Sequence, residues 1–363
     1  MISEVELRER LDRLRHAIPD GAAAWVSRHQ YVFYLTGCLP LVDSKATLLI
    51  TDDAVTALWP GAVPEAAPTW ASSIAFDPWA IDESSFDAAA AGLVSSHGLA
   101  VRSIVVDGGF VPFFLEGCDL RNGDTIFAAL VREKSDAEVE IITRNLDGND
   151  NAFARIAREL RPGVSDFEVL SSAMDEISQC AGTAVAYDGN VGLGRSGANP
   201  EAQPVGTKAG HGDSLFVDLY PIRHGYAGDS TRSFAVGEAL AWASEAHSLV
   251  IRALEAAEAA LCPGVAAGEI DRICRGTVEA GHPAGIAHHV GHGIGVFAQE
   301  PPYLVPRNSD TLKVGDVVAV EPGVYHPTEG GIRVEDVFVI TKTGARRLTN
   351  APRDLQVCGR GQS

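Results

Sequence analysis

Apolar residues recur at helical spacing near the N-terminus and then form short strand-like runs. A first helix is predicted over Glu4–His16, and the stretch SSFDAAAAGLVSSHG predicts another helix that ends at Gly98. Short apolar strands are predicted at 22–26, 46–50, 54–58 and 103–106. Helices that alternate with strands in this way predict an α/β domain with a mixed sheet over residues 1–132.

A capping box opens the second predicted domain, residues 133–363. Ser135 precedes Glu138 by three residues, and apolar positions then recur at helical spacing until Pro162 and Gly163 end the run. The same cap is repeated by the serine and glutamate at 165 and 168. Later helices are predicted at 239–261 and 267–280, and strands at 214–220, 226–236, 317–321 and 331–340. The predicted fold class of this half is α+β.

The composition excludes several classes of partner. The chain has 363 residues, 46% of them hydrophobic, and its net charge of -19 repels nucleic acid and anionic membrane surfaces. No apolar run is long enough to span a membrane, and the charged N-terminus lacks the apolar core of a signal peptide. The six cysteines form no CxxC pair, which favours reduced cysteines in a cytoplasmic protein.

Two aspartates lie eleven residues apart in the segment SLFVDLYPIRHGYAGDS. Strand alternation places Asp218 on one face with Phe216 and Tyr220, in a core strand where an unpaired charge is costly. A hairpin of this size can bring Asp229 beside Asp218. The alternative is a pair of unrelated aspartates, one of them paired with Arg232.

Three histidines fall within five residues of the segment AHHVGHGIG. Glycines on both sides of His292 allow close backbone approach, as at a metal or substrate pocket, and argue against a helical zinc motif. The clustering of His288 and His289 with His292 favours function over three structural histidines. For His289 alone, a structural role is equally weighted.

Two glutamates complete the candidate ligands. Glu321 ends a β-branched strand before a Pro-Gly turn, and Glu335 lies in the strand-like segment GGIRVEDVFVI. Alternation places Arg333 and Glu335 on one strand face, so a simple pair between them is the alternative. Four carboxylates and one imidazole balance the charge of two divalent cations, an arrangement that suits activating a water for hydrolysis.

The combined motif resembles the pita-bread metallopeptidases, the family of methionine aminopeptidase, aminopeptidase P, prolidase and the non-metal enzyme creatinase. The matching segments are VDLYPIRHGYAGD, GHGIG, VEPGVY and GIRVED. The likeness is close over residues 134–350, and YLTG at 34–37 extends it loosely to the creatinase-type N-terminal domain. The resemblance implies a pita-bread catalytic domain preceded by a creatinase-like α/β domain.

The resemblance implies a role for each ligand. Asp218 would bind one metal through both oxygens. Asp229 and Glu335 would bridge both metals, while His292 and Glu321 would hold the second. A hydroxide between the metals would attack the scissile carbonyl, and Glu321 would carry the proton. The ligand set suits two ions of Mn, Co, Fe or Zn and does not choose among them.

Two positions on the substrate side depart from the family pattern. The family's peptidases usually carry a histidine where this chain has Gln299, and prolidase-like members carry one at the position of Pro204. Glutamine hydrogen-bonds but does not titrate near neutral pH. His288 does match a family site histidine, with a catalytic and substrate-binding role, and Arg333 is a further substrate-binding candidate.

The resemblance implies a dinuclear metal-dependent hydrolase that cleaves small peptides, as Xaa-Pro dipeptidases and aminopeptidases do. The alternative is a hydrolase or lyase of a non-peptide small molecule, as creatinase, ectoine hydrolase and a sulfonium-compound lyase of this fold are. An inactive binding module is disfavoured, because nothing would keep five ligands in a dead site. The family likeness also implies a homodimer.

Overall fold

The structure is a computed structural model that describes residues 2–40, 45–99, 103–109, 115, 118–183, 185, 189–282 and 284–360. Contacts within the chain divide it into two compact units, Met1–Val131 and Arg132–Ser363. Among the described residues, no helix combines the length and the apolar character that crossing a lipid bilayer requires.

A six-stranded sheet forms the centre of the first unit. Its strands are β1 (Ala23–Val26), β2 (Thr47–Ile50), β3 (Val55–Pro60), β4 (Ser72–Phe76), β5 (Ser103–Val106) and β6 (Asp119–Asn122). The helices are α1 (Glu4–Ala17), α2 (His29–Thr36), α3 (Phe86–Ser96) and α4 (Asp124–Arg132). The strand order β4-β3-β2-β1-β5-β6 combines parallel and antiparallel neighbours, so the predicted mixed sheet is confirmed.

The predicted strands of this sheet are its buried ones. The apolar runs of β1 and β2 are buried at every position, as central strands require. The edge strands β4 and β6 are largely exposed and were not predicted, because their sequences carry no apolar run.

The second unit has two pairs of helices, each followed along the chain by a sheet. The helices are α5 (Asp136–Glu159), α6 (Asp166–Ala181), α7 (Ala241–Ala260) and α8 (Ala267–Glu279). After the first pair come β7 (Gly189–Leu193), β8 (Ser214–Leu219), β9 (Ile222–Arg223), β10 (Tyr226–Ala227) and β11 (Ser230–Val236). After the second pair come β12 (Gly291–Gly293), β13 (Glu300–Leu304), β14 (Val317–Val320), β15 (Gly323–His326), β16 (Gly330–Arg333), β17 (Asp336–Thr341), β18 (Gly344–Arg347) and β19 (Gln356–Cys358).

Each helix pair packs an apolar face against one of the two larger sheets. One sheet has the order β19-β11-β8-β7, and its core contains Phe153 of α5 and Phe234 of β11. The other has the order β13-β12-β14-β17-β18, and its core contains Leu254 of α7 and Phe338 of β17. Both predicted capping boxes are present at the starts of α5 and α6, where they satisfy the first free N–H groups.

Two strands that were predicted to be continuous are broken, and both breaks position a carboxylate. The predicted strand 226–236 is interrupted between β10 and β11, where a Cβ added to Gly228 would lie 2.8 Å from Cβ of Asn145. The predicted strand 331–340 is interrupted between β16 and β17, because Glu335 N–H donates to the oxygen of Thr231 in the other sheet. Arg333 and Glu335 therefore do not belong to one continuous strand as predicted, although both line the same cavity.

The two simple ion pairs that the sequence left open are also absent from the described residues. Arg232 pairs with Asp336 at 2.7 Å instead of with Asp229. Arg333 pairs with Asp218 at 2.7 Å instead of with Glu335. Both arginines thus leave the carboxylates of Asp229 and Glu335 without a cationic side chain in direct contact.

Candidate metal centre

A cavity of about 290 Å³ collects the candidate ligands from strand ends and strand breaks. Asp218 lies within β8, Asp229 directly precedes β11, and His292 is the central residue of β12. Glu321 directly follows β14, and Glu335 directly precedes β17. All of these side chains line the cavity: Asp218, Asp229, His292, Glu321 and Glu335.

Tight sheet packing explains the glycines on either side of His292. A Cβ at Gly291 would lie 2.1 Å from the oxygen of Ala319, and a Cβ at Gly293 would lie 2.5 Å from the oxygen of Pro301. Side chains at these two positions would collide with backbone, so β12 can lie between β13 and β14 only with glycine there. The imidazole of His292 is thereby fixed at the cavity wall.

The donor atoms lie close enough to share ions. Nε2 of His292 lies 3.6 Å from Oδ2 of Asp229 and 3.6 Å from Oε1 of Glu321. Asp229, His292 and Glu335 each offer one donor atom within 4.8 Å of the others. His289, His292 and Glu321 form a second group by the same measure.

His292 presents an unprotonated nitrogen to these carboxylates. Its Nδ1 donates to the backbone oxygen of Gly293 at 3.0 Å, because a carbonyl can only accept. Burial lowers the pKa of the imidazole and favours its neutral form. Nε2 therefore carries a lone pair that faces the cavity, which is the tautomer that a metal ligand needs.

The carboxylates repel one another in a buried space. Burial raises the pKa of Asp218, and burial together with the charges of neighbouring carboxylates raises the pKa of Asp229 and Glu335 well above the ordinary range. Burial alone would also raise the pKa of Glu321, but contact with His289 and the positive charge of Arg333 help to outweigh it, and that pKa is lowered to about 2.

Divalent cations fit this donor set. Oδ1 of Asp218 and Oε1 of Glu335 are buried and accept no hydrogen bond within the described part of the chain. Buried carboxylate oxygens without partners are costly, and cations supply both the missing contacts and the missing charge. The other oxygen of Asp218 accepts from Nη2 of Arg333 at 2.7 Å, so only one of its oxygens has no protein partner here.

Arg333 organises one wall of the cavity. Its Nε donates to Thr231 Oγ1, Nη1 donates to the oxygen of Pro200 and to Tyr325, and Nη2 donates to Asp218. These four bonds use all but one of the five N–H groups of a guanidinium. Among the described residues, one N–H of Arg333 is thus left without an acceptor.

His288 lies beside this arginine with both ring nitrogens engaged. Nδ1 donates to the oxygen of His289 at 2.5 Å, and Nε2 accepts from the hydroxyl of Tyr325 at 2.8 Å. Burial lowers the pKa of His288 to about 4, so the ring is neutral at physiological pH. Tyr325 thus joins His288 to Arg333, because its hydroxyl also accepts from Nη1 at 3.2 Å.

The two altered substrate-side positions have different surroundings. Gln299 is exposed and lines the cavity, next to a buried pair between Lys134 and Glu300 that anchors the start of β13. Pro204 does not line the cavity as the described residues define it, whereas Glu201 does. Glu201 therefore contributes to the cavity wall, and Pro204 does not.

Several residues that line or support the cavity were missed by reading the sequence. Asn190 is the cross-strand neighbour of Asp218, but it lies in β7, whose glycines gave no strand signal. Thr231 is the other cross-strand neighbour of Asp218, and its hydroxyl donates to Oε2 of Glu335 at 2.9 Å. Tyr325 is the last residue of the matched segment VEPGVY, and that position was the available signal.

Replacing Thr231 with valine is expected to weaken metal binding by about tenfold to a hundredfold, because Glu335 loses the hydroxyl that orients it. Valine has the same shape, so the packing of β11 is kept. Chelator competition on the purified protein measures the change, and Thr231→Ser, which keeps the hydroxyl, is the matched control. Equal metal affinity in Thr231→Val and the unaltered chain would contradict the role of Thr231 in orienting Glu335.

Known proteins share this architecture. The model of metallopeptidase family M24 matches residues 140–342. The probable dipeptidase PepE of Mycobacterium tuberculosis is 33% identical over 226 residues, which is 62% of this chain and 60% of that protein. The chain thus spans 60% of the length of this curated relative. The Xaa-Pro dipeptidase of Pyrococcus horikoshii is 28% identical over 338 residues, 92% of this chain and 94% of that protein.

A solved structure extends the likeness to the whole chain. The crystal structure of dipeptidase PepE from Mycobacterium ulcerans superposes with a TM-score of 0.86 at 25% identity and covers 99% of both chains. The first unit therefore has a counterpart in that structure as well as the second.

Proposed function

Because the chain belongs to metallopeptidase family M24, we propose that it hydrolyses small peptides of the Xaa-Pro type with two divalent metal ions. The observation that carries the proposal is the convergence of four carboxylates and one neutral imidazole on a single cavity. The residues that would hold the ions are Asp218, Asp229, His292, Glu321 and Glu335. The similar proteins above are dipeptidases, so the non-peptide alternative is not favoured.

The chemistry divides between the ions and the protein. Two divalent cations in this cavity would lower the pKa of a water and stabilise negative charge on the attacked carbonyl oxygen. Glu321 receives the proton and passes it to the leaving amine, and its carboxylate faces the cavity beside His289 at 2.9 Å. His288 and Arg333 hold the substrate side of the cavity through Tyr325.

Gln299 takes the place of a titratable group on the substrate side, and we propose that its amide hydrogen-bonds the substrate. Gln299→Ala is expected to lower kcat/KM for an Xaa-Pro dipeptide about fivefold, which corresponds to the loss of one hydrogen bond of about 1 kcal/mol. Gln299→His, which restores a ring donor, is expected to keep or raise the rate. Unchanged kcat/KM in Gln299→Ala would show that Gln299 does not hydrogen-bond the substrate.

Further parts of the proposal concern the ions and the assembly. The ligand set suits Mn, Co, Fe or Zn. The charge of -19 and the unpaired cysteines support a cytoplasmic protein, and we propose that it acts as a homodimer. We also propose that residues 1–132 are a creatinase-like N-terminal domain and that residues 133–363 are the catalytic domain.

A substrate panel tests the function. The purified full chain, loaded with Mn²⁺ or Co²⁺, is assayed against Xaa-Pro dipeptides, dipeptides without proline, and longer Xaa-Pro peptides. The expected result is cleavage of the Xaa-Pro dipeptides, loss of activity with a chelator, and recovery when metal is added back. Failure on every proline peptide by protein that has taken up metal would overturn the proposed substrate class.

A further inference from the structure

We propose that His289 supplies a second imidazole to the metal centre, through Nε2, beside His292 and Glu321. The inference rests on the proposed metallopeptidase function and adds a ligand to its site. The five ligands that the sequence indicated include one histidine only. With His289, the ion beside Glu321 would have two imidazole ligands instead of one.

The spacing of the donor atoms supports a shared ion. Nε2 of His289 lies 2.9 Å from Oε1 of Glu321, and Nε2 of His292 lies 3.6 Å from the same oxygen. Two donors about 2.1 Å from one ion, at right-angle or tetrahedral geometry, lie about 3.0–3.4 Å apart. The three side chains place their donor atoms within 4.8 Å of one another, and all three line the cavity.

Nε2 of His289 can bind a metal ion, whereas neither ring nitrogen of His288 is free to do so. Both ring nitrogens of His288 are engaged, with the oxygen of His289 and the hydroxyl of Tyr325. Nε2 of His289 is buried and lies 2.9 Å from Oε1 of Glu321, and it has no other partner among the described residues.

The orientation of the rings agrees with a shared point. The rings of His289 and His292 are edge to face, with centroids 5.4 Å apart and planes at 73°. Stacked rings would direct their nitrogens in parallel, whereas this arrangement lets both Nε2 atoms approach Glu321 from different sides.

An added imidazole changes which ion the site prefers. Carboxylate oxygens suit Mn²⁺, whereas imidazole nitrogen favours Zn²⁺, Co²⁺ and Fe²⁺. A centre with two imidazoles is therefore expected to favour zinc over manganese more strongly than a centre with one. The two substrate-side imidazoles of the family pattern, by contrast, are replaced in this chain by Gln299 and Pro204.

Counting imidazoles at a bound ion tests the inference. The metal-free full chain is loaded with two equivalents of Co²⁺, and X-ray absorption at the cobalt edge counts imidazoles from their outer-shell scattering. Four proteins are compared: the unaltered chain, His289→Ala, His289→Gln and His288→Ala. His289→Gln keeps a hydrogen-bond donor to Glu321 but has no imidazole, and His288→Ala is the matched control with an unchanged ligand set.

The expected result is two imidazoles per pair of cobalt ions in the unaltered chain and in His288→Ala, with an about twofold decrease in both His289 variants. Zinc affinity, measured by chelator competition, is expected to fall about tenfold or more in both His289 variants, and manganese affinity less. Rescue of zinc affinity by His289→Gln would mean that His289 only hydrogen-bonds Glu321, which overturns the inference.

The imidazole count in the unaltered chain alone also tests whether His289 binds the ion, so the test does not depend on the folding of any variant. One imidazole per pair of ions in a protein that binds cobalt and cleaves Xaa-Pro dipeptides would overturn the role of His289 and leave the proposed function standing. A chain that takes up no cobalt would overturn both.

Discussion

Replacing Asp229 with alanine is expected to remove metal from the site and to lower kcat about a thousandfold, because metal ions supply several kcal/mol of transition-state stabilisation. Asp229 is proposed to bridge both ions, so its loss affects both together. Glu335→Ala is expected to have the same effect for the same reason. Elemental analysis and steady-state kinetics on the same preparations measure the two quantities.

A surface aspartate provides the matched control for this prediction. Asp175 is half exposed and pairs with Arg155 at 2.6 Å, so Asp175→Ala is expected to keep metal content and rate. Full metal occupancy in both Asp229→Ala and Glu335→Ala would contradict the bridging assignment, whatever the rates.

Thermal melting separates loss of metal from loss of folding. Burial, together with the charges of Glu335, Asp218 and Glu321, raises the pKa of Asp229 well above the ordinary range. Without metal, Asp229→Asn relieves that repulsion, so the metal-free variant is expected to melt at or above the temperature of the metal-free unaltered chain. With metal, the order is expected to reverse.

Replacing Asp336 with alanine is expected to destabilise the fold by about 3–5 kcal/mol, because it leaves a buried arginine without its partner. Asp336 is fully buried and pairs with Arg232 at 2.7 Å. Burial alone would raise the pKa of Asp336, but the charges of Arg232 and Arg353 and a hydrogen bond from Thr349 hold it below the ordinary value. Chemical denaturation of the metal-free protein measures the change.

The same substitution is expected to weaken metal binding, because Arg232 also supports the backbone of the site. Nη1 of Arg232 donates to the oxygen of Glu335 at 2.6 Å and to the oxygen of Thr231 at 2.9 Å. The control is Arg347→Ala, since that partly exposed side chain lies 3.6 Å from Asp336 and its loss is expected to cost about 0–1 kcal/mol. Equal stability of the two variants would contradict the buried-pair argument.

The fold class could be predicted from the sequence because its signals are local or depend on spacing. The α+β pita-bread fold with a preceding α/β domain is confirmed by the family match and the whole-chain structural likeness. Capping boxes and buried apolar runs give the main helices and central strands from a few neighbouring residues each. Membership of metallopeptidase family M24 also agrees with the resemblance read from the sequence.

What the sequence did not reveal depends on contacts between distant segments. The breaks before Asp229 and Glu335 arise from the close approach of α5 at Gly228 and from the hydrogen bond to Thr231. The partners of Arg232 and Arg333 lie about a hundred residues away in the chain, at Asp336 and Asp218. No local pattern carries that information, so neighbouring residues suggested the wrong pairs.

Anomalous diffraction from crystals of the full chain soaked in Mn²⁺ tests the central claim most directly. The account predicts two peaks in the cavity, both flanked by Asp229 and Glu335, with Asp218 beside one and His292 beside the other. A cavity without peaks at saturating Mn²⁺, or peaks away from these four side chains, would contradict it.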